Sequence, residues 1–351
     1  MIKHSIIIPT ASRPIAIRGA IKSVLEKILD STDTELIIVD NNTDEELSQD
    51  LKNYCMKLSH KLRYVYEPSP GLSAARHRGA EVALGDLLTF LDDDVEISDS
   101  WLSAVRNSFV NPGVVMVGGP SIPKFTCSIP DWFWIFIIRT NYGGWMNEWL
   151  SLLDIGQDVP NIDPNYIWGL NFSIRKQTMY DCGGFHPDLV PTYLQCWQGD
   201  GETGLTKKIK KKKLRADYCQ AALVYHICGQ ERLNVNYFEK RGFYQGVCAS
   251  YSKIRQIKDA RIYSIFFYKF KLRMSFFFRY FFYKLVNFRS NKLEKEVIKL
   301  IRKSCEAGFL FHQQAVISNG DLISWILRTN YFNADLRNFD KKNFMSHHKQ
   351  N

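Results

Sequence analysis

Near the start of the chain, apolar residues fall in short continuous runs separated by stretches of helical spacing. Ser5-Ile6-Ile7-Ile8-Pro9-Thr10 is an apolar run stopped by proline, which predicts a buried strand entering a loop. From Pro14 to Leu29 the spacing changes, with Ile17, Ile21, Val24, Leu25 and Ile28 on one helical face. Glu35 to Asp40 is a second apolar run, followed by the polar Asn41-Asn42-Thr43-Asp44, and Leu62 to Tyr66 is a third. After Pro68-Ser69-Pro70-Gly71 a helix is predicted from about Ser73 to Ala83, closed by Gly85-Asp86. The next run, Leu87 to Leu91, leads directly into Asp92, Asp93 and Asp94. This alternation predicts an α/β chain with a mainly parallel sheet flanked by helices.

In open α/β sheets ligands bind beyond the carboxyl ends of the strands. The loops after Ile8, Val39 and Leu91 therefore converge on one crevice, supplying Thr10 and Arg13, Asp40 and Asn42, and the aspartate triplet. Adjacent carboxylates repel and raise one another's pKa. A divalent cation such as Mn²⁺ or Mg²⁺ resolves that conflict, because it prefers hard oxygens and shares them with phosphates. In an extended chain Asp92 and Asp94 point to one side and Asp93 to the other. That places Asp92 and Asp94 toward a diphosphate and Asp93 in support of the loop or a ribose. A solvated acidic loop ahead of the helix near Ser98 to Val110 would have the same sequence, so the triplet alone does not choose.

Composition narrows the class. A chain of 351 residues accommodates a large α/β domain with an appendage. The formal charge of +10 favours an anionic partner. The eight cysteines show no Cys-x-x-Cys pair, which fits free thiols of a reducing compartment. The chain begins without signal-peptide flanks, and no uninterrupted apolar run reaches the roughly 20 residues that span a bilayer. The expectation is a cytoplasmic protein, with peripheral attachment at the inner face of the membrane left open. Residues 121–168 are rich in proline and tryptophan without periodicity, which predicts a long loop region with short helices. Leu214 to His226 reads as a late strand pair, and the chain beyond Asn234 as helical.

The triplet gains meaning from its neighbours. The ordered set runs from the first strand and Glu35 to Asn42, through Gly71-Leu72-Ser73-Ala74-Ala75-Arg76-His77-Arg78-Gly79 and Phe90 to Asp94. It continues with Gly169 to Lys176, Gly183-Gly184-Phe185 and Gly199-Asp200-Gly201-Glu202-Thr203-Gly204-Leu205. Over roughly residues 1–245 this set resembles the inverting family 2 glycosyltransferases. The resemblance implies a GT-A fold with a Rossmann-like sheet. It implies transfer of a hexosyl group from a nucleotide-diphosphate sugar donor to a glycan or lipid-linked acceptor, as in surface polysaccharide biosynthesis, with Mn²⁺ or Mg²⁺ as cofactor. Residue by residue it implies that Pro9, Thr10, Arg13 and Asp40 hold the base and ribose and that Arg76 lines the nucleotide pocket. Asp92 and Asp94 match the metal motif, with Asp94 the direct ligand and Asp93 beside them. His226 corresponds to a strand-end histidine that reaches metal or diphosphate, Arg232 to a phosphate contact, and Asn171 to a residue bordering the sugar. Trp168 and Trp197 adjoin these motifs and are the tryptophans expected at the sugar. The family has asparagine where this chain has His77, which is assigned no role.

An inverting transferase needs a base to deprotonate the acceptor hydroxyl, and a carboxylate within hydrogen-bond reach suits the task. Asp200 and Glu202 are the candidates. Counting back from Leu205 favours Glu202; Asp200 fits equally as the cap of the following helix.

Domain boundaries are expected at 1–232 for a catalytic domain and 233–351 for a helical, basic and aromatic appendage. Between Arg261 and Arg289 phenylalanines interleave with lysine and arginine and no acidic residue occurs. As a helix, Lys269, Arg273, Tyr280 and Lys284 form a basic stripe, which suits either an anionic membrane surface or helices packed on the domain. Two other classes compete with a transferase. One is an inactive glycan-binding module, against which the intact carboxylates speak. The other is a basic nucleic-acid-binding protein, for which no motif appears, so nucleic acid is not an expected partner. A dinucleotide oxidoreductase is set aside, since the first strand ends in Pro9-Thr10 and not in a Gly-x-Gly-x-x-Gly turn.

Overall fold

The computed structural model describes residues 3–257, 265–286, 292–334 and 336. The chain forms two compact units that interleave along the sequence, one from 1–119, 158–224 and 329–351, the other from 120–157 and 225–328. The first unit opens with β1 (His4–Thr10), α1 (Pro14–Ile28), β2 (Thr34–Asp40), α2 (Glu45–Met56), β3 (Leu62–Tyr66), α3 (Leu72–Val82) and β4 (Leu87–Leu91). It continues with β5 (Val95–Ile97), α4 (Trp101–Ser108) and β6 (Val114–Gly118). The second unit begins with β7 (Ser121–Phe125), β8 (Ile138–Arg139), β9 (Trp145–Asn147) and β10 (Leu152–Asp154). The chain then returns to the first unit for β11 (Asn171–Arg175), α5 (Lys176–Asp181), α6 (Gly201–Lys211) and β12 (Arg215–Tyr218). The second unit resumes around β13 (Val224–Cys228) and is completed by α7 (Val235–Ile257), α8 (Ile265–Val286), α9 (Lys292–Ser318) and α10 (Gly320–Ile326).

The first unit is built on a seven-stranded sheet in the order β12-β6-β11-β4-β1-β2-β3. β1, β2, β3 and β4 pair in parallel, as do β6 and β12, while β11 runs antiparallel between β4 and β6. This is the mainly parallel, helix-flanked α/β architecture expected from the resemblance. Ile6, Ile8, Leu36 and Ile38 join Ile17, Ile21 and Val24 of α1 and Trp101 of α4 in one core. On the opposite face Ile7 and Val39 meet α3, whose Gly79 lies so close that a Cβ there would sit 2.4 Å from Ile7. Burial on both faces explains why these strands read as continuous apolar runs and not as alternating ones. The parallel register sets Thr10 beside Asp40 and Asp40 beside Tyr66, so the loops of interest leave the sheet along one edge.

Two expectations are refined. Residues 121–168 carry the expected loops and short helices, the latter as 3-10 turns at Asp131–Phe136 and Pro164–Tyr166, but they also hold short strands: β7 and β9 each pair antiparallel with β10, and β8 with β9. Strands of two to five residues are too short to show a period. Their aromatic content builds a second core, in which Trp132, Phe136 and Trp149 pack with Phe238 of α7 and Ile301 of α9. Leu214 to His226 does contain two strands, but they do not pair, since β12 joins β6 and β13 lies in a different sheet.

Two buried histidines tie the first unit together. The His4 Nε2 atom shares a 2.8 Å hydrogen bond with Thr89 Oγ1, and Thr89 in turn bonds Ser173 at 2.7 Å, a chain across three strands. The Phe185 amide donates to His77 Nε2 at 2.9 Å, with the rings of Phe185 and Phe332 against the imidazole. Burial lowers the pKa of both histidines to about 3. Each is neutral when folded but takes up a proton below about 6.5 when unfolded. Their contribution is complete above pH 6.5 and is lost as the pH falls toward 3, at up to about 1.4 kcal/mol per pH unit for each. The unfolding midpoint should therefore fall between pH 7 and pH 5. Replacing His77 by glutamine, which keeps an acceptor but does not titrate, should flatten that fall; parallel wild-type and variant curves would contradict it.

Candidate functional site

The site of the first unit is organised by two arginines. At the end of β1, Thr10 Oγ1 donates to Asp93 Oδ2 at 2.7 Å. Arg13, in the residue before α1, donates from Nη1 to Asp93 Oδ1 at 2.9 Å and to Asp94 Oδ2 at 2.8 Å. Asp93 and Asp94 are buried. Burial, reinforced by the charge on Asp94 and opposed by Arg13, pushes Asp93 up to about 6.

Asp92 does not share this partner. It accepts from Arg76 Nη2 at 3.1 Å, so Asp92 and Asp94 are held by different cations. The expected alternation fails because Asp93 and Asp94 lie in a turn between β4 and β5, not in extended chain. Arg76 rises from α3 with only 3% of its side chain exposed. Its Nη2 also donates to the Gly169 carbonyl at 3.1 Å, its Nη1 lies 3.8 Å from Glu202 Oε2, and its guanidinium sits 5.0 Å from the Phe185 ring centre. Gly169 is required by this approach, since a Cβ there would stand 2.5 Å from Nη2. One guanidinium thus draws together the strand end of β4, the turn before β11 and the first turn of α6.

The two candidate bases differ in environment. Glu202 lies in the first turn of α6 with 28% of its side chain exposed. Asp200 is buried and shares a 2.6 Å hydrogen bond with His186 Nδ1, while Lys207 donates to its other oxygen at 3.1 Å. It stands at the N-cap of α6 without making a side-chain cap bond. His186 follows directly on Gly183-Gly184-Phe185 and was not anticipated; the motif ended one residue short of it.

Other expected residues are occupied by the framework. Asp40 is fully buried and accepts from Asn42 Nδ2 at 2.6 Å and from the Tyr64 hydroxyl at 2.6 Å. Pro9 is buried beside Val39. Asn171 accepts from Trp101 Nε1 at 3.0 Å and donates to the Ala222 carbonyl at 2.8 Å. Trp168 donates to the Asn165 carbonyl at 3.0 Å, and Trp197 is buried in the short turn Thr192–Trp197. His226 and Arg232 belong to the second unit. There His226 is buried on β13, and Arg232 Nη1 donates to the Tyr237 hydroxyl at 2.9 Å.

Among the described residues no three His, Cys, Asp or Glu side chains gather as a metal cluster. The hard oxygens of Asp92 and Asp94 still fit Mg²⁺ or Mn²⁺, which characteristically take one or two protein carboxylates and complete their shell with phosphate and water.

Residues 5–154 match the model of glycosyl transferase family 2. Glucosyl-dolichyl phosphate glucuronosyltransferase of Haloferax volcanii is 22% identical over 228 residues, covering 60% of this chain and 65% of that protein. GalNAc(5)-diNAcBac-PP-undecaprenol beta-1,3-glucosyltransferase of Campylobacter jejuni is 31% identical over 122 residues, covering 34% and 38%. The chain thus matches less than two thirds of the length of either relative. A crystal structure of GalNAc-T7 with UDP, GalNAc and Mn²⁺ shows partial likeness, at 14% identity, TM-score 0.48, and coverage of 70% of this chain and 48% of that one. The matched segment 5–154 holds β1 to β4 and the aspartate triplet, so the similarity to glycosyl transferase family 2 falls on the strands and loops that build this site.

Replacing Arg76 by alanine removes the partner of two carboxylates and the donor to a buried carbonyl. The expected loss is about 2 kcal/mol of stability, read by urea unfolding. Lysine at position 76 should restore less than half of it, because a single ammonium cannot reproduce the planar fork of donors.

Proposed function

We propose that the chain transfers a sugar from a nucleotide-diphosphate donor to a glycan or lipid-linked acceptor, with inversion at the anomeric carbon. The observation that carries this reading is the Arg76 bridge, which joins Asp92 of the strand-end triplet to Glu202. A carboxylate at the phosphate end of a donor and a carboxylate able to take the acceptor proton are what the reaction requires. The match of residues 5–154 to the model of glycosyl transferase family 2 supports the transferase class. The names of the two relatives specify polyprenyl-linked acceptors, which favours a lipid-linked glycan here.

In this reading Thr10, Arg13 and Asp93 form the floor beneath the nucleotide, and Asp40 fixes the loop that borders it through Asn42. Asp92 and Asp94 would hold a divalent cation, Mg²⁺ or Mn²⁺, and when bound that ion supplies charge to neutralise the leaving diphosphate. Glu202 accepts the proton of the acceptor hydroxyl as it attacks, while Arg76, 3.8 Å away, orients it. Partial exposure leaves Glu202 reachable by an acceptor, whereas Asp200 is engaged by His186 and Lys207. Asp200 therefore positions α6, and His186 with it.

These assignments separate experimentally. Glu202→Gln should lower kcat at least a hundredfold with donor affinity and thermal midpoint nearly unchanged. Asp200→Asn should lower the thermal midpoint. If Asp200→Asn leaves the fold intact but abolishes turnover while Glu202→Gln stays active, the base is Asp200. Chelation of divalent metal, or Asp94→Asn, should abolish transfer measured with a panel of nucleotide sugars, and undiminished turnover in chelator would refute the metal assignment. Silence across the whole panel with added metal would instead favour a glycan-binding module.

A further inference from the structure

In α8 the distribution of side chains differs from the basic stripe expected at Lys269, Arg273, Tyr280 and Lys284. Lys269 and Lys284 lie 3.8 Å from Glu306 and 3.7 Å from Glu294, and Tyr280 is half-buried against the aromatic core of the second unit. Arg279 is also engaged, at 2.7 Å from Glu148. Phe276 is buried and Leu272 packs against the same core, which defines the inward face. The opposite face carries Phe267, Phe270, Phe277, Phe278, Phe281 and Phe282, each 46–62% exposed. At 100° per residue these rings and Met274 fall within an arc of roughly 140°. Several rest on one another, Phe277 on Phe278 and Phe281, and Phe281 on Phe282, so they form a continuous aromatic ridge. Lys271 and Arg273 are exposed within and beside the ridge, and α8 contains no acidic residue. Arg261, Phe288 and Arg289 lie outside the described residues, as does the side chain of Phe266.

We propose that this face of α8 docks on the surface of a phospholipid bilayer bearing anionic headgroups. A contiguous exposed apolar ridge on a folded protein marks an interaction surface. Its composition selects the occupant. Among the described residues no helix is long and apolar enough to cross a membrane, so α8 lies along the interface and does not span it. A helix with an aromatic face and flanking cations matches the layered interface, with rings among the upper acyl chains and lysine and arginine at the phosphates. A second copy of the chain suits the face poorly. A two-fold interface brings the same patch against itself, which would bury Lys271 and Arg273 of each copy against a ridge that carries cations and no acidic side chain to neutralise them. The inference stands on the second unit alone and does not depend on sugar transfer.

The test is sedimentation of the full chain with vesicles of phosphatidylcholine, with and without phosphatidylglycerol. The expected result is binding that rises with the anionic lipid and falls with salt. The exposed triple variant Phe270→Ser, Phe277→Ser, Phe281→Ser should bind at least about tenfold more weakly, with an unchanged thermal midpoint. Lys271→Glu with Arg273→Glu should remove the preference for phosphatidylglycerol. Failure of the wild-type chain to bind either vesicle overturns the proposal. So does undiminished binding by the triple variant, or a self-association in sedimentation velocity that the triple variant abolishes while neither protein binds lipid.

Discussion

The guanidinium of Arg76 is the interaction on which the site of the first unit turns. A charge taken out of water is costly unless opposite charges and hydrogen-bond acceptors surround it. Arg76 has Asp92, the Gly169 carbonyl, Glu202 and the face of Phe185 around a side chain that is almost wholly buried. Each contact comes from a different part of the chain, so the need to satisfy one buried cation fixes α3, β4, the turn before β11 and α6 against one another. Gly169 follows from the same need, because any side chain at that position would occupy the guanidinium's place.

Arg13 has the complementary task a few residues away. It is 45% exposed and neutralises two buried aspartates at once, while Thr10 donates to one of them. Burial raises the pKa of Asp93, Arg13 opposes that rise, and the neighbouring charge of Asp94 adds to it. The triplet is thus divided between supports, with Asp92 on Arg76 and the other two on Arg13.

The architecture was legible in the sequence because burial on both faces leaves continuous apolar runs, and β1, β2 and β4 fall where those runs stand. The gathering of Thr10, Arg13 and the aspartates was legible for a related reason: parallel strands deliver their following loops to one edge. The orientation of each side chain was not. Alternation of Asp92, Asp93 and Asp94 presumes an extended chain, and a turn at Asp93 and Asp94 undoes it. Asp200 and Glu202 could not be separated by spacing, because their difference lies in His186 and Lys207, which only the fold brings to Asp200. The strands within residues 121–168 escaped notice because their stability comes from aromatic packing among distant residues, not from a local period.

Helix α8 shows the same limit from the opposite side. A helical projection places Lys269, Arg273, Tyr280 and Lys284 on one stripe, and nothing local says whether that stripe meets water. Glutamates at positions 148, 294 and 306, none of them on α8, draw Arg279, Lys284 and Lys269 toward the protein. With those cations engaged and Phe276 inside, the remaining rings are left on the outer arc. The exposure of phenylalanine on α8 is therefore a consequence of where the acidic partners lie. An amphipathic pattern specifies two faces, and the charges on neighbouring elements decide which of them is turned outward.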